Sequence, residues 1–419
     1  MAELTAPEVF LRDLFATAVA EADPMRCVPA ALGPKPDGRV VVLGAGKASA
    51  RMAEAVEAAW GSCEGFVITR YGYGRPCKGI EIAEAAHPVP DQAGVDATRR
   101  LLEIAEGLGL DDTCIMLISG GGSALLCAPA EGLTLEDKQG LATQMLASGM
   151  PIGDINGIRK ELSAVKGGKL AAAVHPAQLR CLMISDVPGD DPGDIASGPT
   201  VGHEGDAALA LETLAAWDVV PPVAIQTYLA AGGDPLSPDD PRLSGVENII
   251  VAAPSQSLTA AAAQAEASGV DVRVLGDDLE GEARELAETH AALALELAQA
   301  GLERPVLLLS GGECTVTRRG DGIGGPNAEY TLAAAIALRG HPKVHVMACD
   351  TDGVDGAAEV AGAVAGPATL ALAEAMGLDP QAELDRNNAH GFFAQTEAQI
   401  VPGPTMTNVN DFRALLVMP

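Results

Sequence analysis

Aromatic residues are scarce: Phe, Trp and Tyr make up 3% of the 419 residues, against a hydrophobic content of 48%. The interior must be filled by Ala, Val, Leu and Gly, as in α/β proteins where small residues let helices approach a sheet. Positive charge is scarce too. Lys and Arg total 27 against 57 Asp and Glu, giving a formal net charge of −30 and a pI near 4.4. Such a field repels nucleic acid and anionic membrane and argues against both as partners. A small anionic substrate would need locally concentrated cations or backbone N–H donors.

No apolar run approaches the roughly 18 residues of a membrane helix. The opening MAELTAPEVFLRDLF is acidic and amphipathic, unlike a signal peptide. A soluble, cytoplasmic protein is expected. The eight cysteines form no C-x-x-C pair and several sit in apolar runs, which reads as buried, reduced thiols. H-E-x-x-H, EF-hand and P-loop spacings are absent.

What is present is alternation. Residues 7–22 carry apolar positions at helical spacing, and 38–46, 63–72, 79–86, 114–122 and 178–187 read as strands, with helices over 47–60, 91–107, most of 134–173, 206–217 and 221–231. Continuous apolar strands between helices indicate a parallel sheet covered on both faces. The stretch AGGDPLSPDDPRLS at 232–245 breaks the pattern and marks a domain junction. Beyond it, strands at 246–253, 271–277, 305–312 and 343–350 alternate with helices at 281–300 and 327–339, a second α/β unit. The expected domains are therefore residues 1–240 and 246–419.

Chemistry concentrates at strand ends, where open parallel sheets bind ligands. Five such ends are polar or glycine-rich: LGAGKAS at 43–49, ISGGGSA at 118–124, ISDVPGDDPGDIASGPT at 184–200, LSGGECT at 309–315 and ACDTDGVDG at 348–356. A structural turn explains any one alone; five together point to a functional cleft. Glycine there lets backbone approach a ligand, and a following helix offers N–H groups to a phosphate or carboxylate. The first turn holds Gly44, Gly46 and Lys47, and matches only the opening G-x-G of a dinucleotide fingerprint. A lysine at a helix start opposes the helix dipole, which points to an anion opposite Lys47.

In INGIRKELSAVKGGKLA, Arg159, Lys160, Lys166 and Lys169 fall within eleven residues, a basic cluster in an acidic chain. The rival explanation is a solvated helix face paired with Glu161. Carboxylates group in two loops, Asp186, Asp190, Asp191 and Asp194 in one and Asp350, Asp352 and Asp355 in the other. Such oxygen ligands suit Mg²⁺, which takes one or two carboxylates plus phosphate oxygens. His87, before Pro88, reads as a structural histidine or a cleft residue.

These segments, with VVLGAGKASARMAEAVE, GDGIGGPNAEYTLAAAIA and TNVNDFRALLV, resemble the glycerate 2-kinases of the MOFRL type from about residue 8 onward. This group is also labelled hydroxypyruvate reductase. The resemblance implies an N-terminal Rossmann-like parallel sheet flanked by helices, a C-terminal MOFRL α/β domain, and an active site in the cleft between domains. It also implies transfer of the ATP γ-phosphoryl group to the 2-hydroxyl of D-glycerate with Mg²⁺.

On that reading Lys47, Arg159 and Asp190 are the catalytic candidates. Gly44, Gly46, Ser119, Gly120, Gly121, Gly122, Ser123, Lys166, Ser310, Gly311, Gly312, Glu313, Asn327 and Asn408 are candidates for binding substrate or phosphate, and Asp186, Asp350 and Asp352 for binding metal. The proton acceptor is open among Lys47, Asp190 and Asp186. The family commonly reads G-G-R-N-Q-E where this chain has Gly324-Gly325-Pro326-Asn327-Ala328-Glu329, so an arginine is replaced by a proline suited to a helix first turn. An NAD(P)H-dependent hydroxypyruvate reductase is the competing enzyme, and a non-catalytic sugar-acid binding module the other rival. A homodimer is left open.

Overall fold

The computed structural model describes residues 6–356 and 358–419. They form two compact units: Pro24–Asp186 with Asp190–Val251, and the chain through Asp23 with Val187–Gly189 and Ala252–Pro419. The helix Pro7–Glu21 groups with the C-terminal unit, although the sequence suggested a division near residue 240 with that helix on the N-terminal side.

The first unit is built on six strands: β1 (Val40–Ala45), β2 (Glu64–Arg70), β3 (Ile80–Ala85), β4 (Thr113–Ile118), β5 (Gln178–Ile184) and β6 (Val246–Ala252). Their order is β3-β2-β1-β4-β5-β6. The pairs β1–β2, β1–β4, β2–β3 and β4–β5 are parallel. All six residues of β1 are buried, as the apolar run VVVLGA requires of a strand covered on both faces. A satellite helical core packs Leu141, Met145, Ile155, Ile158 and Leu162 against Ala210, Leu214, Ile225 and Leu229. It supports the basic helix Ile152–Glu161.

The second unit holds β7 (Asp271–Gly276), β8 (Gly281–Glu282), β9 (Val306–Ser310), β10 (Cys314–Thr315), β11 (Val344–Asp350), β12 (Gly362–Ala365), β13 (Gln399–Ile400) and β14 (Asp411–Val417). Its main sheet runs β13-β12-β11-β14-β9-β7. Adjacent side chains of β9 point to opposite faces. Leu308 joins the core under helices Ala283–Gln299 and Pro326–Leu338, whereas Leu307 and Leu309 meet Leu11, Leu14 and Phe15 and the helix Pro254–Ala267. The Phe15 and Phe412 rings lie 5.9 Å apart in that second core.

In the main sheet β7 and β9 pair parallel, whereas β9–β14, β14–β11, β11–β12 and β12–β13 are antiparallel; the separate β8–β10 pair is parallel. β14 inserts antiparallel between β9 and β11, which accounts for two of these pairs, and is buried at all seven positions. Among the described residues, no helix is long and apolar enough to cross a membrane.

Candidate active site

In the first sheet the strand order reverses between β1 and β4, and ligands of doubly wound sheets bind beyond the carboxyl ends at that point. The turns after these two strands are GAGKAS and SGGGS. They are bound to each other. The Lys47 N–H donates to the Gly120 carbonyl at 2.8 Å. Ser119 Oγ accepts the Ala48 N–H at 3.0 Å, and Ser49 Oγ donates to the Leu117 carbonyl at 3.0 Å. Thr69 Oγ1 donates to the Lys47 carbonyl at 3.4 Å. Ser119, fully buried, therefore organises the start of the helix Ser49–Trp60, with Lys47 one residue before its N-cap Ala48.

The glycines of the first turn serve this packing. A Cβ on Gly44 would collide with the Leu117 carbonyl, and one on Gly46, whose φ is +148°, with Ser119 Oγ. Both predicted ligand-binding glycines thus have a structural duty toward β4. Gly121 differs. Its φ is +77°, and a Cβ would lie 2.9 Å from His87 Cδ2 and Nε2 and 3.2 Å from Lys47 Cγ. The Lys47 stem and the His87 ring flank that backbone, so the ends of β1, β3 and β4 meet there.

The loop after β5 joins the same constellation. Ala196 and Ser197 are buried with φ of +53° and +63°, a sparsely populated conformation for non-glycine residues that costs of order 1–3 kcal/mol each. The hydroxyls of Ser197 and Ser123 lie 2.8 Å apart, and a Cβ on Gly122 would come within 2.7 Å of Ala196 Cβ. Ser197 and Gly198 carbonyls accept from the Gly167 and Gly168 N–H groups at 3.2 and 2.8 Å. Lys166 then reaches back, its Nζ donating to the Ser123 and Leu126 carbonyls at 2.9 and 2.8 Å. Burial, with Lys138 and Arg159 nearby, pushes the Lys166 ammonium well below the usual lysine range. Burial likewise lowers Arg159, which donates to Asn156 Oδ1 at 3.4 Å. Of the predicted cations, Lys160 pairs with Asp194 at 3.2 Å.

Asp190 has φ +54° and one buried carboxylate oxygen with no hydrogen-bond partner. Asp191 accepts the Gly193 N–H at 2.7 Å and so shapes its own loop.

In the second unit, the Ser310-Gly311-Gly312 turn is pinned from inside. The buried Arg413 guanidinium donates to the Gly311 and Gly312 carbonyls at 2.6 and 3.1 Å and to Asp411 Oδ2 at 2.7 Å. Gly311 N–H donates to the Gly276 carbonyl, and a Cβ on Gly312 would strike Leu279 backbone. The likeness of the two Ser-Gly-Gly turns thus conceals different duties. Glu313 is exposed. Asn327 is buried and clasped, its Nδ2 donating to Asp411 Oδ1 at 2.6 Å and its N–H to Asp355 Oδ1 at 3.0 Å, while its own Oδ1 has no partner. Pro326 is the first residue of the helix Pro326–Leu338. Asn408, also buried, accepts the Asn410 N–H at 3.3 Å.

Asp350 and Asp352 each give an oxygen to a backbone N–H, of Asp352 and Val354, at 2.8 Å. Among the described residues, no group of three or more His, Cys, Asp or Glu is placed to hold a metal. The three acids Asp186, Asp350 and Asp352 therefore do not make such a group; the last two lie in one turn, where each accepts a backbone N–H.

Sequence reasoning missed three contributors. Lys138 was hidden in an ordinary acidic helix, Ser197 gave no signal before its strained backbone was seen, and Arg413 lay in a strand not recognised as one. His87 had been noted without a role.

These features define a two-unit α/β protein with a cationic strand-end constellation at a switch point. Residues 10–230 match the domain of unknown function DUF4147, and residues 306–411 match the MOFRL family. A D-glycerate 2-kinase of Thermotoga maritima is 37% identical over 378 residues, 89% of each chain. A protein of Agrobacterium vitis, named provisionally as a hydroxypyruvate reductase, is 46% identical over 97% of this chain and 94% of its own. The crystal structure of the Thermotoga maritima glycerate kinase superposes with a TM-score of 0.88 at 34% identity, covering 99% of both chains. The chain belongs to the DUF4147–MOFRL family.

Proposed function

We propose that this chain is an ATP-dependent D-glycerate 2-kinase, converting D-glycerate and ATP to 2-phosphoglycerate and ADP in the cytoplasm. The observation that carries the reading is the full-length likeness to the Thermotoga maritima glycerate kinase, at 34% identity and a TM-score of 0.88. Phosphoryl transfer needs positioning and charge stabilisation more than covalent chemistry. Lys47, fixed through its backbone to the β4 turn, is suited to neutralise transferring oxygens or the substrate carboxylate. Arg159 and Lys166 add positive charge, and Asp190 or Asp186 would accept the hydroxyl proton while Lys47 stays an ammonium, which has no acceptor.

Mg²⁺ bound with ATP needs only one or two protein carboxylates, and its charge would offset that of the phosphates. The carboxylates we assign to that role are Asp350 and Asp352, each of which also accepts a backbone N–H at 2.8 Å.

The reductase reading is disfavoured by the first turn: Gly44 and Gly46 are filled against β4, where a pyrophosphate would need close backbone approach. One assay separates the two. Purified protein with ATP, Mg²⁺ and D-glycerate should yield 2-phosphoglycerate, and hydroxypyruvate should drive no NADH or NADPH oxidation at 340 nm.

A further inference from the structure

Four cations meet in the first unit, and only Lys169 feels carboxylates, Asp234 and Glu161, which act on it at a distance rather than as ion pairs. Lys138 projects from helix Leu135–Ser148, Arg159 from helix Ile152–Glu161 and Lys169 from helix Lys169–Val174, with Lys166 in the turn between the last two. Chain pairing fixes their neighbourhood. Pro129 bridges Ser163, the Ala130 N–H donates to the Leu162 carbonyl at 3.1 Å, and the Ala164 N–H to Ala128 at 3.0 Å. Among the described residues none of the four makes an ion pair, although the chain carries thirty more acidic than basic charges. Their polar contacts run instead to neutral oxygens: Lys166 to the Ser123 and Leu126 carbonyls, Lys169 to the Ser163 carbonyl at 2.7 Å, Arg159 to Asn156.

We infer that Lys138, Arg159 and Lys169, anchored by buried Lys166, form the binding site for a linear polyphosphate, the phosphate chain of the nucleotide donor. This rests on the kinase reading above. Like charges so placed repel one another, and a stable fold retains such a cluster when an anion completes it. The carboxylate of glycerate carries a single charge. A triphosphate carries one on each inner phosphate and nearly two on the terminal one, about four in all, which matches the number of cations. Arg159 supplies a planar fork and the lysines point charges, a mixture suited to several phosphate oxygens.

The anchor also locates the site. Lys166 is tied to the carbonyls of Ser123 and Leu126, directly downstream of the glycine turn that ends β4. Burial and the neighbouring cations lower Lys138 and Lys166, so a bound polyanion should raise them and binding should take up protons.

The test is calorimetric titration of ATP, inorganic tripolyphosphate and D-glycerate into the wild type, Lys138→Gln and Arg159→Gln, with melting curves recorded for each. Both variants should lose about tenfold in affinity for ATP and for tripolyphosphate, the loss of one charged contact. Affinity for D-glycerate should stay unchanged, and Lys138→Arg should retain nucleotide binding. In the wild type, heats measured in buffers of different ionisation enthalpy should reveal net proton uptake on ATP binding.

Unchanged nucleotide and tripolyphosphate affinities in both variants, loss of D-glycerate affinity instead, or no tripolyphosphate binding by the wild type would each overturn the assignment. The two readings fail separately. Tripolyphosphate binding with the expected variant losses, but no phosphorylation of glycerate, supports this site and sinks the kinase. Turnover of glycerate with undiminished nucleotide affinity in the variants sinks this site alone.

Discussion

The Lys47 N–H donates to the Gly120 carbonyl at 2.8 Å, joining the turns after β1 and β4 across the point where the strand order reverses. The bond holds the lysine backbone independently of its side chain. Removing the ammonium should therefore leave the fold intact and damage chemistry. Lys47→Ala is expected to lower kcat by about 10²–10³ with little change in Tm, as when one electrostatic contact to a transition state is lost. Retention of more than about a tenth of wild-type kcat would reduce Lys47 to an ordinary residue before a helix.

Gly46 and Gly121 should separate stability from activity. Gly46→Ala drives a methyl into Ser119 Oγ and is expected to cost several kcal/mol, about the penalty of overpacking plus strain, in urea unfolding. Gly121→Ala pushes on the His87 ring and the Lys47 stem, both side chains that can yield. Its unfolding midpoint should fall less than that of Gly46→Ala, while kcat falls as Lys47 is displaced. Equal effects on stability, with activity per folded molecule preserved, would contradict this division.

Much of this was legible in the chain. Strands β1 to β6, with β9 and β11, announce themselves because apolar runs stop at glycine or polar residues. β14 did not, because Asp411 and Arg413 interrupt its pattern; only the fold shows that they pair with each other at 2.7 Å and so tolerate burial. Lys47 was legible because a cation before a helix is unusual. Lys138 was not, since its cationic neighbours Arg159 and Lys169 lie more than 20 residues on in sequence, where the bridging of 128–130 to 162–164 draws the chain back.

That buried pair yields a stability prediction. Arg413→Ala leaves Asp411 charged and unpaired and frees the Gly311 and Gly312 carbonyls, which should destabilise the protein by about 3–5 kcal/mol. Arg413→Lys should recover little, because a single ammonium cannot span both carbonyls and the carboxylate. Chemical denaturation of the two variants beside wild type is the check; a loss below about 1 kcal/mol would show that the turn holds itself.

His290 gives a pH dependence with a definite sign. Burial, then Arg413, pulls its imidazole down to about 4, and Nδ1 lies 2.7 Å from the Tyr330 hydroxyl. The fold therefore favours the neutral ring, and the unfolded chain binds the extra proton between about pH 6.5 and pH 4. This contribution is complete above about pH 6.5 and is lost as pH falls through that window, by up to about 3 kcal/mol. His290→Gln, which cannot titrate, should show a shallower loss of Tm between pH 7 and pH 4.5. Parallel Tm curves for variant and wild type would contradict the assignment.

The most direct measurement is product identification by ³¹P NMR after incubation with ATP, Mg²⁺ and D-glycerate. The account predicts a resonance from 2-phosphoglycerate appearing in step with ADP, with none from the 3-phosphate. Formation of 3-phosphoglycerate, or no phosphorylation alongside steady reduction of hydroxypyruvate by NADH or NADPH, would contradict it.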